Sequence, residues 1–449
     1  SMRLPELTRS LLLYRYRRLG QARRQAVEAG YAGAMYPWQS GANGREETQT
    51  MHLNPKSGRW LPDASHLQRH VNAAVAYNIW QYYQATGDEE FLRFYGAEMI
   101  FEIARFWSSI ATYDHVDDRY EIRGVMGPDE YHERYPGRKK PGLDNNAYTN
   151  VMAVWCLIRA LDLLQVLPPG AVASLRERLL ISPEELDRWE EITRKRKVCF
   201  HDAGNGDGVV LSQFEGYEAL EEFDWDGYRE RYGDISRLDR ILEAEGDSTN
   251  RYKLAKQADV VMLFYLLSAD ELTELFDRLD YDWDEKAMLR NIAYYEARTS
   301  HGSTLSRVVH AWIYARTHRE QSWEDFLTAL HSDVNDVQGG TTPEGIHMGA
   351  MAGTIDLVQR CYTGLELRDD SLRIDPAIPR DLRQLSMDLR YRDHAVHLVL
   401  TAENAHIRLG RGPGKPITLR VRGHEHVLAA GDTLDVPMTP VEARVDEIV

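Results

Sequence analysis

Apolar positions recur along most of the chain at helical spacing. Val71, Ala74, Val75, Ile79 and Tyr82 fall on one stripe, and Met99, Ile103, Phe106 and Ile110 repeat it. Val260, Leu263, Leu266 and Leu267 repeat it again after a polar entry. The i, i+3, i+4 spacing predicts amphipathic helices with one buried face. Helix follows helix through polar turns such as Thr86-Gly87-Asp88, with no strand pattern between them, over roughly the first 370 residues. By periodicity alone such a series fits a toroid of paired helices and an α-solenoid equally well.

Near Leu372 the period changes to two. Ser386–Tyr391, His397–Leu400 and His406–Leu409 alternate, Gly410–Gly414 is a turn cluster, and Ile417–Val421 and His426–Leu428 follow as short strands. A small β-sandwich is expected there. The predicted division is a helical domain over 1–371 and a β domain over 372–449. Segments 31–63, 123–146, 201–216 and 333–353 are too long to be simple connections, and loops of that length are often functional.

Charge and cysteine content narrow the function classes. A net charge of −16 disfavours nucleic acid or an anionic membrane as the main partner. Cys156, Cys199 and Cys361 show neither a disulfide framework nor zinc spacing, which points to a reducing, cytoplasmic compartment. No apolar run approaches the roughly 20 residues of a membrane helix, and no signal peptide is visible. Ser1-Met2 reads as a cloning scar with a helix already in progress from Leu4, so the chain is expected to begin inside a larger protein.

Five clusters carry candidate chemistry. Gly127-Pro128-Asp129-Glu130-Tyr131-His132, with Asp144–Asn150, sets two carboxylates and an amide-rich turn at a loop-to-helix junction. Glycoside cleavage needs a carboxylic acid to protonate the leaving oxygen, and aromatic or apolar neighbours help keep one protonated. The alternative is a loop Asp-Glu pair that caps a helix. Thr299–Ser306 brings hydroxyls, a glycine and a histidine into a helix start, which suits an anion or a plain N-cap. Gly339–Gly349 is a glycine-rich loop with His347, a further anion donor or a structural histidine. Lys256 and Gln257 suit sugar hydroxyls; the alternative is an exposed helix start with Asp259 favoured by the helix dipole. Trp38 and Gln39 in Tyr36–Gly41 suit a sugar platform or a packed loop.

In six ordered blocks the chain resembles glycoside hydrolase family 65. They are Leu11–Tyr16, Tyr36–Trp38, Gly127–His132 with Asp144–Asn150, Lys256–Asp259, Ser303–Ser306 and Gly345–His347, within a likeness running from about Leu11 to about Leu409. The resemblance implies an (α/α)6 barrel followed by a C-terminal β-sandwich. It implies Glu130 as general acid, a phosphate site at Ser303, Thr304 and His347, glucose contacts from Lys256 and Gln257, and acceptor-side contacts at Trp38 and Gln39. The implied reaction is inverting phosphorolysis of an α-linked glucobiose, such as trehalose, kojibiose or maltose. Inorganic phosphate is the co-substrate, and no metal or organic cofactor takes part. A homodimer is compatible.

Family members also carry an N-terminal β-sandwich, a linker and a Phe-Trp-Asp-type segment ahead of the helix at Leu11. The barrel is therefore expected to lack its first helix. Gln39 stands where some phosphorylases have Glu. Two alternatives stay open. One is an α-glucoside hydrolase, with Glu344 as base at roughly 6.5–9.5 Å from the acid. The other is a non-catalytic carbohydrate-binding fragment.

Overall fold

The computed structural model describes residues 2–438 apart from 205, 285, 337–341 and 369. The chain divides into two compact units. The larger comprises residues 12–79 and 92–306, and the smaller residues 1–11, 80–91 and 307–449.

The larger unit is built on helices. Ala97–Ser109 is buried on almost every side, because Met99, Ile100, Ile103, Phe106 and Trp107 surround its axis. It packs on Ala147–Val166 and Pro183–Lys195, where the Phe101 and Trp189 rings lie 6.0 Å apart. The 20-residue helix Ala147–Val166 reaches membrane-spanning length and hydropathy, although no apolar run of that length stands out from the sequence. Of its most apolar window 61% is buried inside the protein, as expected of a core helix.

Several expected elements take a different form. The apolar stripe after Asp259 yields only the short helix Met262–Leu266. Ser268 opens the next helix, Ala269–Arg278, with a capping box to Glu271, which ends the stripe early. Three hairpins interrupt the helices: β1 (Met51–Asn54) with β2 (Arg59–Pro62) and β5 (Phe200–Asp202) with β6 (Val209–Leu211) in two of the long segments, and β3 (Thr112–Asp114) with β4 (Arg119–Glu121) just before a third.

The smaller unit carries helices Arg319–His331 and Met348–Asp356, then eight strands. These are β7 (Leu365–Arg368), β8 (Ser371–Ile374), β9 (Gln384–Tyr391), β10 (His394–Thr401), β11 (Asn404–Leu409), β12 (Ile417–Val421), β13 (His424–Leu428) and β14 (Thr433–Pro437). They form two four-stranded sheets, β14-β11-β10-β9 and β13-β12-β8-β7, antiparallel except for the β8–β12 pair. Val396, Leu398 and Leu400 of β10 are buried opposite Leu409, Ile407 and Ala405 of β11. Leu419 and Val421 of β12 are buried opposite Leu372 and Ile374 of β8. This alternation makes each sheet apolar on one face, giving a small β-sandwich.

Candidate active site

The loop before Ala147–Val166 is held at both ends by the larger unit. Val125 and Leu143 exchange backbone hydrogen bonds of 3.0 and 2.8 Å, and the Met126 N–H donates to the Leu67 carbonyl. At the far end Asn146 caps the helix, accepting from the Thr149 N–H at 2.9 Å. Its amide nitrogen donates at 3.0 Å both to the Gln213 carbonyl and to Asp259 Oδ1. The capping alternative weighed for this cluster thus describes Asn146. Asp129 and Glu130 act differently.

Asp129 is buried and accepts from four donors. They are the Lys256 N–H at 2.8 Å, His132 Nδ1 at 2.9 Å, Gln213 Nε2 at 3.1 Å and the Tyr131 N–H at 3.3 Å. His132 also bonds the Tyr252 carbonyl through Nε2, so both ring nitrogens face acceptors. Asp129 therefore ties its own loop to the Lys256 segment. One residue on, Glu130 reaches the surface with its side chain 35% exposed and meets Lys256 Nζ at 2.5 Å. Gln257 Nε2 donates to the Pro128 carbonyl at 2.6 Å. Glu130, Lys256 and Gln257, from two separate sequence clusters, therefore stand together.

The exposed helix start weighed as the alternative for this cluster does not describe Asp259, which is 3% exposed and accepts from the Asp129 N–H at 3.1 Å. Gly127 allows this closeness, since a Cβ there would lie 2.2 Å from Asp259 Oδ2 and 2.3 Å from Asn146 Nδ2. Burial pushes the Asp259 carboxyl up to about 7; the Asp129 charge adds to this, and the Asp129 N–H and Asn146 hydrogen bonds oppose it. An unfolded Asp titrates near 3.9. Between the two values the folded chain holds the extra proton, so this contribution to stability is full below about pH 4 and is lost as pH rises to about 7. Asp259→Asn is expected to remove that slope. Melting temperatures taken across this range test it, and an unchanged slope in the variant contradicts it.

The hydroxyl-rich turn is joined to the same segment. The Ser300 and Gly302 N–H groups donate at 2.8 Å to the Ala255 and Lys256 carbonyls. Tyr131 is buried, and its hydroxyl bonds Ser300 Oγ at 3.1 Å and the Ser236 carbonyl at 3.0 Å. Gly302 has no space for a side chain, as a Cβ would lie 2.2 Å from the Ser236 oxygen. Ser303 and Thr304 follow directly and begin the helix Thr304–Tyr314. Ser303 Oγ accepts from the Leu305 N–H at 3.3 Å, and Thr304 is buried. His301 has a left-handed φ of 53° and bonds Ser306 Oγ at 2.9 Å.

Trp38 is half-buried, with its ring 5.2 Å from that of His70, while Gln39 is exposed. The Gln39 backbone is fixed by Thr48 Oγ1 at 3.1 Å and by the Glu47 N–H at 2.9 Å. His347 belongs to the smaller unit. There Asp333 takes its Nδ1 at 2.6 Å and its backbone N–H at 2.9 Å, fixing the ring. Residues 339–341 of its glycine-rich loop and the Glu344 side chain lie outside the described residues.

Sequence reading missed Gln213, which bridges Asp129 and the Asn146 cap, and the segment Gln68–His70, which lies against the acid loop. Gln68 Nε2 donates to the Gly127 carbonyl at 3.2 Å. Only polarity directly before an apolar stripe marked that segment, and this reads first as a helix entry.

The glycosyl hydrolase family 65 central catalytic domain matches residues 1–356, and the family's C-terminal domain matches 365–428. An uncharacterized glycosyl hydrolase of Mycobacterium tuberculosis is 53% identical over 436 residues, 97% of this chain and 32% of that protein. The trehalose 6-phosphate phosphorylase of Lactococcus lactis is 42% identical over 407 residues, 90% of this chain and 50% of that one. A kojibiose phosphorylase of Caldanaerobacter subterraneus is 33% identical over 433 residues, 94% of this chain and 52% of that one. The chain thus spans between a third and about half the length of these curated relatives. A solved structure from the human microbiome, provisionally assigned as a kojibiose phosphorylase, superposes with a TM-score of 0.74 at 23% identity. It covers 97% of this chain and 57% of that one. That likeness gives the fold, an (α/α)6 barrel with a C-terminal β-sandwich. The chain belongs to glycosyl hydrolase family 65.

Proposed function

We propose that this chain performs inverting phosphorolysis of an α-linked glucobiose, releasing β-D-glucose 1-phosphate and an acceptor sugar. The observation that carries this reading is the convergence on the Lys256 segment. The Glu130 carboxylate meets its side chain, and the Ser303–Thr304 turn is anchored to its backbone through Gly302. Glu130 serves as general acid to the leaving oxygen. Ser303, Thr304 and His347 bind the attacking phosphate, Lys256 and Gln257 bind glucose, and Trp38 and Gln39 contact the acceptor.

Phosphate at neutral pH is already an anionic nucleophile, so the reaction needs one acid and no base. A hydrolase needs a second carboxylate to activate water. The turn 299–306 contains no Asp or Glu, which supports phosphorolysis. In the ion pair with Lys256 the Glu130 carboxylate accepts rather than donates. No metal or organic cofactor is needed, and the substrates are small dissolved molecules. The cytoplasm and a homodimer are the setting we propose. The two family regions and the first β-sandwich strand at Leu365 support a helical catalytic domain followed by a C-terminal β domain.

His347→Ala should raise KM for inorganic phosphate about tenfold while KM for the disaccharide moves little, since a charge-assisted hydrogen bond is worth about 1.5–3 kcal/mol. Steady-state kinetics with each substrate varied in turn checks this. An unchanged phosphate KM removes His347 from the site.

A further inference from the structure

Three consecutive side chains at the elbow before the helix Val71–Thr86 hold polar groups with no partner. Gln68 is 1% exposed, and its Oε1 has no hydrogen bond. His70 is 7% exposed; it hydrogen-bonds the Met126 backbone through one ring nitrogen, while the other, Nδ1, is unpartnered. Burial pushes the imidazole down to about 4, so the ring is neutral and Nδ1 is a bare acceptor. Between them Arg69 is half-buried, and among the described residues its guanidinium has neither a hydrogen bond nor an ion pair. The charge that acts on it most is Glu46, whose carboxylate already accepts from Thr48 Oγ1. Buried polar groups are almost always satisfied, so the two unmet acceptors on Gln68 and His70, either side of a guanidinium without a protein partner, call for a ligand.

Their position identifies the ligand's place. The Met126 N–H and Gln68 join this elbow to the loop that ends in Glu130. The His70 ring touches Trp38, and Glu46 pairs across from Ser40, the residue after Gln39. The elbow thus borders the loop assigned to the acceptor.

The chemistry of the three groups is complementary to one ligand class. A guanidinium offers a fork of donors that matches phosphate oxygens. Gln68 Oε1 and His70 Nδ1 are acceptors that need O–H donors. Inorganic phosphate meets the first demand, but its O–H groups sit on the same phosphorus that the guanidinium would hold, whereas a sugar phosphate presents separate ring hydroxyls to Gln68 and His70 as well. We infer that Gln68, Arg69 and His70 form a receptor for an acceptor sugar carrying a phosphate ester, with Arg69 on the phosphate and the other two on ring hydroxyls. Placing this ligand as the acceptor half of a cleaved disaccharide rests on the phosphorolysis reading.

The test is calorimetric titration of the chain with glucose 6-phosphate, glucose and inorganic phosphate, on wild type, Arg69→Ala and Arg69→Lys. Arg69→Gln replaces the alanine variant if that does not fold. Glucose 6-phosphate is expected to bind at least about tenfold tighter than glucose. That preference should vanish in Arg69→Ala and persist in part in Arg69→Lys. In turnover, KM for trehalose 6-phosphate should rise about tenfold in Arg69→Ala, with KM for inorganic phosphate unchanged. No preference for the phosphorylated sugar in wild type overturns the receptor. A rise in the inorganic phosphate KM alone overturns it too, and moves Arg69 to the attacking phosphate. Arg69-dependent binding of glucose 6-phosphate without turnover of any disaccharide upholds the receptor and refutes phosphorolysis.

Discussion

Glu130→Gln is expected to lower turnover of the disaccharide by about 10²–10⁴, the range that a general acid supplies. The amide has the size of the carboxyl but no acidic proton for the leaving oxygen. KM for the disaccharide should stay within a few-fold of wild type, because Lys256 and Gln257 remain in place. Leaving-group chemistry separates this from a structural defect. α-Glucosyl fluoride departs without protonation, so its conversion with phosphate should fall far less than that of a disaccharide. Equal losses on both substrates would mean that Glu130 positions the sugar and is not the acid. The variant also releases Lys256 from its ion pair. The pair is half-exposed and worth little to stability, so the melting temperature should hold.

Asp129→Ala is expected to be the most damaging substitution to stability, at about 3–5 kcal/mol. It strips the acceptor from four donors, among them the buried His132 ring and the Lys256 N–H. Donors buried without an acceptor keep their desolvation cost. The loss also unties the Glu130 loop from the Lys256 segment, so turnover should fall even in molecules that remain folded. Asp129→Asn retains the volume and one acceptor oxygen, and should lie between wild type and alanine in both properties. Chemical denaturation of the three proteins measures the effect. A wild-type midpoint for the alanine variant would contradict the role of Asp129 as the hub of the site.

The contrast between Asp129 and Glu130 shows what sequence reading reached. Neighbouring carboxylates in one motif were visible at once. Which one is buried as a tie and which one reaches solvent depends on Lys256, Gln213 and Asp259, between 84 and 130 residues away. Local pattern holds no record of such pairings. Asp259 illustrates the same gap: beside an apolar stripe it reads as a helix start, yet the acid loop covers it. Where a feature is periodic the reading held, as for the helix Val71–Thr86 and for β9 to β13. It failed where alternation lasts only a few residues, as in β7, β8 and the three hairpins. Gln68, Arg69 and His70 carry no pattern, and only their unmet hydrogen bonds draw attention to them.

Product analysis separates phosphorolysis from hydrolysis. The chain would be incubated with trehalose, trehalose 6-phosphate, kojibiose, nigerose and maltose, with and without inorganic phosphate, and the products resolved by anomer, with Glu130→Gln as control. β-D-Glucose 1-phosphate is expected from at least one of them, formed only with phosphate and at least a hundredfold more slowly by the variant. Free glucose formed without phosphate, or glucose 1-phosphate formed equally fast by the variant, would contradict this expectation.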